Sequence, residues 1–164
     1  MKLLHCILLF IVLAMGQDQD SSASVMDEEK ILGMCTISDI TSGYHGKWYN
    51  KEFAEYEVDT FALRPVQEIL GEIQIVLVFG TWCSDSRREV PRFLKILDSL
   101  EYPKNSLTLV AVDRDKIMDP ESGYHFTIDR VPTIIFLMQG IELGRIVETP
   151  DESLEADMAA ILGY

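Results

Sequence analysis

Residues 75–79, Ile75-Val76-Leu77-Val78-Phe79, form an unbroken apolar and largely β-branched run that stops at Gly80. A half-exposed strand alternates apolar with polar residues. This run does not alternate, so it reads as a strand buried on both faces. Two more runs of the same character follow, at 107–112, closed by Asp113, and at 133–138. Between the first two, Val90, Phe93, Leu94, Leu97 and Leu100 recur at helical spacing with charges between them. Gln139-Gly140 turns the third run into residues 141–148, which alternate as an antiparallel edge strand does. The order β-α-β, then a hairpin, then a helix specifies an α/β domain with one central mixed β-sheet flanked by helices.

The flanking segments are read from caps and composition. Thr149-Pro150-Asp151-Glu152 puts a hydroxyl at an N-cap, Pro at the first helical position and Glu at the third. Leu154, Met158, Ile161 and Leu162 then form an apolar stripe that Gly163 can close. Residues 59–71, with Phe61, Leu63, Val66, Ile69 and Leu70, predict a helix that Pro65 either opens or kinks. Trp48, Tyr49, Phe53 and Tyr56 suggest a helix or an irregular packing segment within an N-terminal extension at 31–58. Residues 17–30 are acidic and Ser-rich and read as a flexible linker.

At the start of the chain, Lys2 precedes an apolar stretch at 3–13 and the small residues of Ala14-Met15-Gly16. The stretch is shorter than the roughly 20 apolar residues needed to span a bilayer. Residues 1–16 therefore predict a secretory signal peptide, with an N-terminal anchor helix as the alternative. The expected destination is the periplasm or the exterior. Cleavage there removes Cys6 and leaves Cys35 and Cys83 in a domain at 31–164. With 14 Lys+Arg against 27 Asp+Glu the formal charge is −13, which argues against nucleic acid and against anionic membrane surfaces as partners of the mature form.

The chemistry concentrates at Trp82-Cys83-Ser84-Asp85-Ser86. The strand ends at Gly80 and a helix is expected to open near Cys83, where the first unpaired backbone N–H groups and the positive end of the helix dipole favour a thiolate. Pro91 stands two turns into that helix, Val131-Pro132-Thr133 precedes the third buried run, and Gly140 lies in the hairpin turn.

On those four elements residues 70–163 resemble the thioredoxin superfamily, and within it the exported thioredoxin-family proteins of bacteria. The resemblance implies a thioredoxin-like fold. It makes Cys83 the attacking thiol, Trp82 a wall of the substrate cleft, and Val131-Pro132 a cis-proline loop. Val131 would hold its N–H and C=O free to pair with an extended substrate. Two positions depart from the family pattern. Ser86 stands where the family carries its second, resolving cysteine, and a hydroxyl cannot attack a mixed disulfide as a thiol does. It can still donate a hydrogen bond to the Cys83 thiolate. Leu77 stands where the family buries an acid in the central strand. Asp85 adds a negative charge near the thiolate that Arg87 and Arg88 can offset.

Cys35 has three open roles: a resolving cysteine brought over Cys83, a structural partner, or a bystander. His45 and His125 are too few and too scattered to form a metal site, and no phosphate-binding Gly-rich loop occurs, so neither a metal nor a cofactor is expected. Asp113-Arg114-Asp115-Lys116 reads as a solvated charged turn or a ligand loop. The leading expectation is an exported monothiol thiol–disulfide exchange protein acting through Cys83, assisted by Ser86, on protein or small-molecule thiols and disulfides. The alternative is a redox-inactive thioredoxin-fold module that binds peptides or proteins.

Overall fold

The computed structural model describes residues 30–164. The expected signal peptide and all of the expected linker except Lys30 lie outside the described residues. Five strands form one mixed sheet in the order β1-β3-β2-β4-β5. These are β1 (Gly33–Cys35), β2 (Ile73–Phe79), β3 (Leu107–Ala111), β4 (Thr133–Met138) and β5 (Ile141–Val147). β2 runs parallel to β3 and antiparallel to β4, while β1 and β5 pair antiparallel with their neighbours at the two edges. The helices are α1 (Ile37–Thr41), α2 (Gly46–Glu55), α3 (Ser84–Ser99) and α4 (Leu154–Ile161). This is the α/β architecture that the order of elements specifies, in the thioredoxin-like form that the resemblance implies.

Alternation along β2 divides the interior in two. Ile73, Ile75, Leu77 and Phe79 join one core with Phe93, Ile96, Leu97 of α3 and Leu154, Met158 of α4. Val76 and Val78 point the other way, into a smaller core with Val110, Ile135 and Leu137. The first core lies under helices. The second lies under an irregular segment from which Met118, Tyr124, Phe126 and Ile128 project. Both faces of β2 are sealed as its composition requires, with Ile75 through Phe79 fully buried.

Where the chain turns, the required backbone is present. Gln139 (φ 52°) and Gly140 (φ 79°) are both left-handed, the signature of a tight two-residue hairpin turn between β4 and β5. Gly163 (φ 93°) ends α4 and lets Tyr164 N–H donate to Ala159 O at 3.0 Å. The aromatic segment around Trp48 is helical, as α2.

Two expectations are corrected and one element is added. The helix over 59–71 is instead a turn followed by two short 3₁₀ segments, Arg64–Glu68 and Leu70–Glu72. Pro65 opens the first, and three-residue spacing turns both Leu63 and Val66 inward, each fully buried. The last helix starts at Leu154 rather than after Thr149. Ser153 is its N-cap, accepting from Ala156 N–H at 3.0 Å. Asp157 reaches back to take the N–H groups of Asp151 and Glu152 (2.7 and 3.1 Å), which keeps those residues in a loop. Finally, the N-terminal extension supplies an edge strand, β1, that no run of apolar residues announces.

The extension is fastened to the domain by two acids, one of them buried. Glu155, 1% exposed, accepts from Tyr56 Oη at 2.8 Å and from Asp59 N–H at 3.1 Å. Arg92 of α3 pairs with Glu52 of α2 at 2.8 Å.

Candidate functional site

The chain leaves β2 at Gly80 and enters α3 at Ser84 through one turn, closed by Cys83 N–H donating to Gly80 O at 2.9 Å. Cys83 is the helix N-cap residue, with extended backbone (φ −91°, ψ 129°), and its carbonyl accepts the first helical hydrogen bond from Arg87 N–H at 3.0 Å. The helix continues through Pro91, which has no N–H to offer the Arg87 carbonyl.

Gly80 is required by a close approach. A Cβ there would lie 2.6 Å from the indole of Trp82, which folds back over the strand end. Trp82 Nε1 donates to Val112 O at 3.0 Å, tying the turn to the end of β3, and the Arg114 guanidinium lies 4.7 Å over the same ring.

The half-buried Cys83 thiol donates to Val131 O at 3.2 Å. The Val131–Pro132 peptide bond is cis. The Val131 carbonyl is thus engaged while Cys83 is a thiol, which corrects the expectation that both its backbone groups stand free. Ser86 is fully buried, and its hydroxyl oxygen accepts from Gly80 N–H at 3.2 Å. Nearby charges are taken up locally: Arg88 pairs with Asp85 at 2.8 Å and also bonds Glu89, and Arg87 Nε donates to Thr81 O.

Around the thiol is an open depression of about 360 Å³ whose walls include Trp82, Val131, Arg114, Lys116 and Arg130. The structure therefore brings Cys83, Trp82, Val131 and Pro132 together. Cys35 is elsewhere. It lies in β1, pairs with Leu109, and packs against the helix-covered core, whereas Cys83 packs against the opposite core. β1 is two strands from β2, about 10 Å laterally. Disulfide geometry tolerates Cα separations only up to about 7 Å. Both cysteines are free thiols.

The charged turn after β3 belongs to the site, which the sequence reading left open. Its signal was position: loops after adjacent parallel strands emerge at the same end of a sheet. Among the described residues no group of three or more His, Cys, Asp or Glu is placed to hold a metal ion, and no helix is long and apolar enough to cross a membrane.

No family model matches the chain. It is similar to Thioredoxin H9 of Arabidopsis thaliana, with 26% identity over 92 residues, 56% of this chain and 61% of that protein. The chain thus spans about three-fifths of that relative's length. Among solved structures it is similar to a thioredoxin of Fasciola hepatica, with 21% identity, coverage of 51% of this chain and 75% of that one, and a TM-score of 0.35. It is also similar to a Pseudomonas aeruginosa protein of unknown function, with 17% identity, coverage of 72% of each chain and a TM-score of 0.43. The weak sequence similarity supports a thioredoxin-like superfamily for the chain, and with it a fold of the thiol–disulfide oxidoreductase type.

Two outcomes follow from this geometry. Gly80→Ala forces the Trp82 ring away from Val112 O and is expected to cost about 1–3 kcal/mol in urea unfolding, with a change in tryptophan emission. An unchanged spectrum and midpoint would show that the ring does not lie over the strand end. Cys35 responds to pH. Burial, reinforced by Asp39, pushes its thiol up to about 12. An unfolded cysteine ionises near about 8.5, so the native state keeps a proton that the unfolded state releases, and stability falls as pH rises from there toward 12. At about pH 8.5 native Cys35 is expected to alkylate on the order of a thousand times more slowly than in urea, read by peptide mass mapping.

Proposed function

We propose that this protein carries out monothiol thiol–disulfide exchange through Cys83, after export, on protein or small-molecule disulfides. The observation that carries this reading is the Cys83 sulfur at the mouth of α3, half-exposed beside Trp82 and Val131, with a buried hydroxyl three residues on where a second sulfur would be needed.

In the forward step Cys83 releases its proton to solvent, and its sulfur attacks one sulfur of the substrate disulfide. A new S–S bond forms, the old one breaks, and the other half of the substrate leaves as a thiolate. Loss of the proton also frees the Val131 carbonyl from its bond to Cys83, and a strand-like substrate can then use it as an acceptor. Ser86 supports this arrangement from below by holding the Gly80 N–H. It cannot displace the substrate, so a thiol from outside attacks the substrate sulfur of the mixed disulfide, forms a disulfide with it and expels Cys83 as a thiolate, which returns the enzyme to its reduced form.

Incubation with a peptide disulfide is expected to leave a long-lived adduct on Cys83, detected by intact mass and discharged when a small thiol is added. Ser86→Cys should shorten the adduct lifetime about tenfold or more and raise insulin reduction, because an internal thiol replaces the external one. Absence of any adduct, together with peptide binding that survives Cys83→Ser, would establish the redox-inactive binding module instead. The export component has its own test. Protein recovered from outside the cytoplasm should begin at Gln17 or within a few residues of it, and material that retains Met1 sinks the signal peptide.

A further inference from the structure

The chain carries a net charge of −13, and its 14 Lys and Arg are outnumbered by 27 Asp and Glu. Carboxylate partners should therefore be easy for any cation to find. The Cys83 depression departs from that expectation. Arg114, Lys116 and Arg130 line it together with Asp129 and Glu148. Glu148 is engaged by Arg130 at 2.6 Å. That leaves Arg114 and Lys116 against the single carboxylate of Asp129.

Among the described residues neither of the two makes an ion pair. The Arg114 guanidinium rests on the Trp82 ring, 4.7 Å from its centroid, and Lys116 Nζ donates to Arg114 O at 3.1 Å. Their neighbours Asp113 and Asp115 do not line it; they line a second depression, with Lys30, that shares only Trp82 and Arg114 with the first. Asp113 spends one carboxylate oxygen on Asp115 N–H at 3.0 Å. Lys116 also holds a left-handed backbone (φ 56°), unusual for a residue that is not glycine. The turn after β3 thus sets two cations on the rim of the thiol site and keeps their adjacent acids off it.

We infer that the Cys83 site selects anionic disulfides, in which a carboxylate lies within a residue or two of the sulfur under attack. This rests on the exchange reading above and adds the substrate's charge to it. Arg114 offers a planar fork to a carboxylate, and the stack on Trp82 holds that fork in place at small entropic cost. The cations also offset the leaving thiolate's charge at the moment of transfer, while the rest of the surface repels an anion. The preference is therefore local and opposite in sign to what net charge alone gives.

Three disulfide probes test it: dithiobis-nitrobenzoate, which carries two carboxylates, the neutral dithiodipyridine, and the cationic cystamine. Each rate of adduct formation on Cys83, followed by mass, is divided by the rate of the same probe with a blocked free cysteine. The normalised anionic rate is expected to exceed the neutral one by about three- to tenfold, the scale of one or two partly exposed charge pairs. It should decline as ionic strength rises. Within each variant the anionic-to-neutral ratio is read. Arg114→Gln and Lys116→Gln should each lower it, and Arg114→Lys should restore most of it. Cystamine as the fastest probe, or a ratio unmoved by either glutamine variant, overturns the charge preference and leaves exchange standing. Failure of all three probes to add to Cys83 overturns exchange itself.

Discussion

Burial of β2 on both faces is the constraint from which the site's geometry descends. A strand with Ile75 through Phe79 fully buried cannot lie at an edge, and β2 is paired along its length with β3 and β4. Its end is therefore fixed in three directions, and the Gly80–Cys83 turn leaves from a rigid platform. Cover over the two faces is unequal. Helices seal one side, and an irregular segment seals the other, the side on which Cys83 packs. A helix laid there would present side chains. The irregular segment instead brings backbone to the sulfur, in the form of the Val131 carbonyl.

The turn is held by main-chain partners at every step. Trp82 is anchored on Val112 O, Cys83 on Val131 O, Arg87 on Thr81 O, and Ser86 receives the Gly80 N–H. An unpaired N–H at Gly80 would be a buried donor without an acceptor, which costs about 1–3 kcal/mol. Ser86 is thus occupied with the strand end, so its presence in the motif has a structural reason independent of redox chemistry.

How much of this was legible in the sequence depends on the kind of signal involved. Buried strands announce themselves, and the runs near 75, 107, 133 and 141 became β2 to β5 with ends shifted by at most two residues. Apolar spacing of three to four cannot separate α from 3₁₀ in a short stretch, so Leu63 and Val66 misled. β1 has three residues with Met34 exposed, too short for any period to show. At the last helix two hydroxyls competed for the cap, and the carboxylate of Asp157 decided between them. In the site, Cys83 was found because side-chain identity and a strand–turn–helix pattern coincide there. The acceptors that position Trp82 and Cys83 were hidden because every residue type carries the same carbonyl. The split of the two cysteines between opposite cores was hidden as well, since Cys35 sits on the unforeseen strand.

That split gives the two thiols separate chemical histories. While the sheet is intact the sulfurs are kept apart by layers of packed side chains, and oxidation at one leaves the other untouched. A covalent link between them can form only in a chain whose sheet has come apart or has not yet assembled. Under oxidising conditions such a link would be a lasting record of an unfolded past, and it would exclude that molecule from the folded population for as long as the bond survived.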